Sequence, residues 1–238
     1  IKVDGELTEP QWKNAARLSN FSEVSPGDNV KPPVETEVYL AYDNDNIYFG
    51  YICFENDMKN LRATFADRDK IFQDDFAGFF IDTYSNSKQA YEFLTNAYGI
   101  QGDLLWSQGN EDASYDAVWS SGAKIYKDKW TCEIAIPFKS IRFPHKDIQD
   151  WKIHVYRIRP RKNRDEYFWC PISRDDPSLF SKAGTLKGLK NIKGGKNLEV
   201  LPYVLGSQSR ELSDFSNANS GYLNGDPNID LGLNVKYG

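Results

Sequence analysis

Apolar and polar residues alternate with a period of two through much of the chain, which is the pattern of strands that bury one face. Thr36 to Tyr42 alternates, Asp43-Asn44-Asp45-Asn46 supplies turn residues, and Ile47 to Phe54 returns as an aromatic-rich run, so this stretch predicts a β-hairpin. Further strands are predicted over 75–82, 90–96, 118–126, 130–136 and 151–159, each bounded by Gly, Asn, Asp or Pro. Their spacing suits an antiparallel sandwich. Ile1-Lys2-Val3-Asp4-Gly5 reads as a short strand ending in a turn. Thr8-Glu9-Pro10-Gln11-Trp12 opens a short helix, with Thr8 as N-cap and Trp12, Ala15 and Ala16 on one face. Pro137 to Ile141 predicts a single helical turn, because Pro is tolerated at a helix start and would break a central strand.

The pattern changes after about residue 183. Gly184, Gly188, Gly194 and Gly195 are interleaved with lysines, which reads as a solvated linker. Asn197 to Leu205 is strand-like, and Ser207 to Asp226 is polar and rich in Asn and Ser, as a long exposed loop would be. From Ile229 to Tyr237 every odd position is apolar and every even one is polar or Gly. Alternation over ~9 residues suits a transmembrane β-strand, and equally an ordinary half-buried strand.

With 14 Tyr, 14 Phe and 6 Trp in 238 residues, the chain has material for a sizeable core and leans to all-β, since aromatics fit pleated surfaces. No run approaches the ~20 apolar residues of a membrane helix. A net charge of −5 with dispersed basic residues excludes a nucleic-acid face. Cys53, Cys132 and Cys170 are an odd number in strand-like contexts and read as buried thiols. The chain opens directly on strand-like Ile1-Lys2-Val3, as a trimmed mature chain or a fragment would.

The opening Ile1-Lys2-Val3-Asp4-Gly5 with Trp12, and Tyr42-Asp43 before an aromatic strand, resembles family 9 carbohydrate-binding modules. Asp74-Asp75, Phe80-Ile81-Asp82, Phe93, Asn96, Trp119, the run from Trp130 to Phe138, and Arg142-Phe143 extend the resemblance to a bacterial subgroup in which the module precedes an outer-membrane β-barrel. Trp151, Arg157, Trp169, Gly184-Thr185-Leu186 and Leu201-Pro202-Tyr203 fit the same subgroup. The resemblance implies an antiparallel jelly-roll or immunoglobulin-like β-sandwich over residues 1–190, and over 191–238 a linker and the first strands of a barrel. It further implies a secreted, non-catalytic module of the bacterial outer membrane, with the sandwich in the periplasm or at the cell surface. Its partners would be an oligo- or polysaccharide, its own C-terminal barrel and other envelope proteins, with calcium as a structural cofactor. A structural, plug or assembly role without a sugar ligand is the alternative.

Sugars are held in water by C–H faces stacked on aromatic rings, with polar groups fixing the hydroxyls. Trp12 and Trp130 read as core. Trp106 and Trp119 flank the polar stretch from Ser107 to Asp116, and Trp169 follows the charged run from Arg157 to Glu166, so these three are the candidates for a binding rim. Arg157, Arg159 and Arg161 alternate on one strand face; they could grip a carboxylate, or pair with Asp165 and Glu166 in a solvated face. Asp74, Asp75 and Asp82 offer the hard oxygen ligands calcium prefers, although Asp also serves turns. No Gly-x-Ser-x-Gly or phosphate loop is present, and neighbouring acidic pairs such as Asp74-Asp75 point to opposite faces of a strand, which argues against catalysis. The only histidines, His145 and His154, have no pattern that suggests haem.

Overall fold

The computed structural model describes residues 1–107, 109–173, 175–176, 178–195 and 198–237. The chain forms two units, Ile1–Gly195 and Lys196–Gly238. Among the described residues the regular structure is strand, with only short 3₁₀ turns beside it.

The first unit is an antiparallel β-sandwich. One sheet has the order β1 (Ala16–Leu18), β3 (Thr36–Tyr42), β4 (Asn46–Phe54), β10 (Lys129–Pro137), β9 (Ser120–Ile125). The other runs β2 (Ser22–Ser25), β12 (Arg164–Phe168), β11 (Ile148–Pro160), β5 (Phe76–Asp82), β6 (Gln89–Asn96), β7 (Gln101–Ser107), β8 (Asn110–Asp112), with β13 (Gly184–Lys190) also paired to β11. Alternation decides which side chains meet between the sheets. Ile47, Phe49, Tyr51 and Cys53 of β4 and Trp130, Cys132, Ile134 and Ile136 of β10 face Ala77, Phe79 and Ile81 of β5 and Ile153 and Val155 of β11. Phe49 stacks on Phe79 across this core at 3.7 Å between centroids, and the Tyr51 hydroxyl donates to the Gly78 carbonyl at 2.7 Å, so apolar and polar contacts both bind the sheets together.

The N-terminal segment covers the back of the five-stranded sheet. Its 3₁₀ turn, Pro10–Asn14, seats Trp12 on Tyr48 and Ala135, and Thr8 does not cap it; the flanking position is Glu9, which makes no side-chain capping bond. Glu133 on β10 accepts from the Trp12 indole and from the amides of Asp4 and Gly5, so this buried carboxylate fixes the segment in place. Gly5 has φ +85°, and a Cβ there would meet the Ala123 backbone at 2.5 Å.

Two expectations from composition are corrected. Gly184–Lys190 is strand β13 rather than linker: Leu186 and Leu189 turn onto the core while Lys187 and Lys190 stay in water, an amphipathic strand rich in Lys. The loop expected over Ser207–Asp226 is mostly strand, because β14 (Leu198–Leu212) and β15 (Tyr222–Tyr237) extend far along a single hairpin. Asn197, the expected start of that strand, lies outside the described residues.

In the second unit the register brings Val200, Pro202 and Val204 opposite Val235, Leu233 and Leu231, all on one face. Leu201, Tyr203 and Leu205 lie on the other face opposite Asn234, Gly232 and Asp230.

Candidate functional site

Strand register assembles a second aromatic layer on the face of the eight-stranded sheet that points away from the other sheet. One row across this face carries Glu166, Ile158, Phe76 and Asn96; the next Phe168, Tyr156, Gly78, Leu94 and Gly102; the next His154, Phe80, Glu92 and Leu104. Ala90 and Trp106 pair beyond them. The rings touch in a continuous file. Phe72 meets Phe76 at 6.4 Å, Phe76 meets Tyr156 at 6.1 Å, Tyr156 meets Phe80 at 5.3 Å and also stacks on Phe168 at 5.3 Å. Phe180, from the segment after β12, closes the file against Phe80 and Trp106. Both faces of β5 are therefore buried, which explains its nearly unbroken apolar run.

Polar groups are set among these rings. The Tyr156 hydroxyl donates to Glu92 Oε1, and burial pushes the Glu92 carboxyl up to about 8, so it is largely protonated at neutral pH. His154 Nε2 lies 2.6 Å from the Leu179 carbonyl; a carbonyl only accepts, so Nε2 carries the proton, and burial keeps the ring neutral. Glu92 Oε2 and His154 Nδ1 are buried without partners among the described residues. At one edge the face opens: Arg164 is exposed, its guanidinium lies 5.3 Å from the Phe76 centroid, and it donates to the Phe72 carbonyl at 2.7 Å.

The rim positions expected for Trp106 and Trp119 are corrected: both rings are buried, Trp106 in the aromatic layer beneath Phe180 and Trp119 between the sheets against Phe93. Trp169 is half-buried, packed on the inter-sheet core and against Gly184. Arg157 is fully buried, so the solvated arginine face is corrected as well. Arg157, Arg159 and Arg161 all converge on Glu55; Arg159 also reaches Asp165, and Arg161 reaches Asp75 at 2.7 Å. Burial pushes Glu55 upward, but Arg159, the Asp57 amide and Arg157 more than offset this and hold it at about 2.

Asp74, Asp75 and Asp82 do not form a cation cage. Asp74 accepts from the Thr64 amide and hydroxyl and from Asn96; Asp75 accepts from the Arg62 amide and Arg161; Asp82 accepts from the amides of Tyr84 and Ser87. Each carboxylate is taken up by protein donors that tie neighbouring segments together, so the set does not fit calcium.

Phe76, Glu92, Tyr156, Arg164, Phe168 and Phe180 were not singled out by sequence reasoning; Phe80 entered only through the family resemblance and His154 only as a histidine without a haem pattern. The signal for several was the even-position set of His154, Tyr156 and Ile158, which only the register with β5 shows to share a face with Phe80 and Phe76.

A family model described as "Carbohydrate family 9 binding domain-like" matches residues 3–151. A crystal structure of a Bacteroides uniformis protein is similar with a TM-score of 0.61 at 14% identity, covering 76% of this chain and 88% of that one. A family 9 carbohydrate-binding module from Caldicellulosiruptor kristjanssonii in complex with cellotriose gives a TM-score of 0.57 at 14% identity, covering 83% and 91%. The same kind of module from that organism in complex with glucose gives 0.57 at 13%, covering 83% and 93%. No curated protein matches the chain.

Proposed function

Because the chain belongs to the carbohydrate family 9 binding domain-like family, we propose that it is a non-catalytic glycan-binding module joined to a bacterial outer-membrane β-barrel, where it captures glycan for uptake or degradation. The observation that carries the binding half is the aromatic file on the eight-stranded sheet, with Phe72 and Arg164 at its open edge. At that edge the half-buried Phe72 offers stacking surface for a pyranose and the exposed Arg164 offers donors for its hydroxyls. The similar modules solved with cellotriose and with glucose support a gluco-configured ligand. Catalysis is disfavoured because Glu92 is sealed against Tyr156 and Glu166 lies beside Arg164, so no carboxylate pair faces an open cleft here.

The barrel half is supported by the second unit. An isolated two-stranded ribbon is marginal in water, and this one exposes a face of Val200, Val204, Ile229, Leu231, Leu233 and Val235. Such a face suits lipid, with the more mixed face of Leu201, Tyr203, Leu205, Asn234 and Asp230 turned to a lumen, once further strands satisfy both edges. Outer-membrane location follows from that reading, with the sandwich in the periplasm or at the cell surface. The second reading, a bracing or assembly domain that docks other envelope proteins, is favoured by the burial of Trp106 and Trp119 together with this exposed apolar ribbon.

The deciding experiment is calorimetric titration of the full chain with cello- and xylo-oligosaccharides, beside Phe72→Ala and Arg164→Ala. Saturable binding that both variants weaken is expected. A folded chain that binds none of them would overturn the glycan reading in favour of the structural one.

A further inference from the structure

We propose that Phe180 is a built-in plug, occupying the subsite that a pyranose ring of a gluco-configured oligosaccharide takes when it displaces the Ser178–Ser181 turn. This rests on the glycan reading above and deepens it.

Phe180 is fully buried, although it belongs to a turn outside the sheets. Its ring centroid lies 5.1 Å from that of Trp106, 6.2 Å from Phe80 and 5.7 Å from His154, so it fills the concavity they frame. The turn that presents it is held mainly by itself. Ser181 donates through its amide and hydroxyl to the Ser178 carbonyl, and the Ser178 amide donates to the Ser181 hydroxyl. The ladder of the eight-stranded sheet takes no part in it. Its polar tie to the sheet is the bond from His154 to the Leu179 carbonyl, and further along the same segment Asn29 binds both the amide and the carbonyl of Ile172.

The plug and its seat are mismatched chemically. His154 Nδ1, against the Phe180 ring, and Glu92 Oε2, farther along the same sheet row, are buried and have no partner among the described residues, and a hydrocarbon ring can pair with neither. Unmade bonds of this kind are rare in native interiors, because a buried polar group without a partner forfeits its hydration. With Glu92 Oε1 bonded to the Tyr156 hydroxyl, Oε2 is left over to bond a ligand hydroxyl, and His154 Nδ1 is a bare acceptor. Two unpaired polar atoms in the same row as Phe80, beside Trp106, are what a ring with apolar C–H faces and equatorial hydroxyls requires. Phe180 supplies the stacking half of that complementarity and lacks the hydroxyl half.

A plug of this kind lowers apparent affinity by the fraction of molecules in which it is withdrawn. The test is calorimetric titration of the full chain with cellotriose. Phe180→Ala is expected to bind about tenfold or more tightly than wild type, and Trp106→Ala added to it is expected to remove the gain. Asn29→Gly, which frees Ile172 while keeping the left-handed backbone at φ +55°, is expected to tighten binding in the same direction without touching the seat. It decides the matter if Phe180→Ala does not fold. Wild-type binding with unchanged or weaker affinity in the folded variants overturns the plug and leaves the glycan reading standing. Absence of binding in wild type and every variant overturns both.

Discussion

Replacing Glu92 by Gln tests the sealed aromatic face through stability alone. The carboxyl lies in the buried layer with one bond, from Tyr156, and burial lifts it from the ordinary 4.5 to about 8. A folded value above the unfolded one means that the contribution to stability is fully present below pH 4.5, declines as pH rises, and is lost above about 8. The interval between 4.5 and about 8 corresponds to about 5 kcal/mol, since each pH unit is worth about 1.4 kcal/mol. Gln keeps the carbonyl acceptor for Tyr156 and cannot ionise. Urea unfolding of wild type and Glu92→Gln between pH 4.5 and 9, followed by Trp fluorescence, isolates this group because every other titrating residue is common to both. The free-energy difference is expected to move in favour of Gln by about 5 kcal/mol across that range. Parallel stability curves would refute the reasoning, since Glu92 would then ionise freely and the layer above it could not be sealed.

Glu55→Gln leaves Arg157, Arg159 and Arg161 without their shared anion and is expected to cost about 3–5 kcal/mol, read as a lower urea midpoint. Its ionised form, held at about 2, contributes fully above pH 4.5, so the variant's stability should no longer fall at this site as pH drops from 4.5 to 2. Gly78→Ala places a Cβ 2.5 Å from the Phe93 carbonyl oxygen in the middle of both layers, and a loss of about 1–3 kcal/mol is expected by thermal melting. Within a closed barrel completed by further strands, Leu231→Arg is expected to cost about 2–4 kcal/mol of stability in lipid, read by urea unfolding in phosphatidylcholine vesicles, whereas Asp230→Arg on the opposite face should leave it unchanged.

The hairpin of β3 and β4 was legible because one face of each strand is apolar and the turn between them is built of Asp and Asn. Strand β10 was legible for the same reason, with Cys132, Ile134 and Ile136 facing inward. β12 was hidden in the charged run ending at Glu166: it pairs with β11 across the short 161–163 turn and with the distant β2, and its polar side chains carry no alternation that would mark it. Local charge pairing suggested Asp165 and Glu166 as arginine partners, and Asp165 does meet Arg159; the dominant anion, Glu55, is a hundred residues away in sequence and could not be seen. Trp106 looked like a rim residue because polar residues follow it, but Phe180 folds back over it. Cys53 and Cys132 are buried thiols, as their strand contexts suggested, whereas Cys170 is only half-buried.

The most direct test of glycan recognition on the aromatic face of the eight-stranded sheet is mapping chemical-shift changes in the isotope-labelled full chain as cellotriose is added. Saturable shifts at Phe72, Phe76, Arg164, the Trp106 indole and Phe180 are predicted. Shifts confined to other surfaces, such as the exposed stacked pair Phe65 and Tyr98, or no shifts at all in a folded chain, would contradict the account.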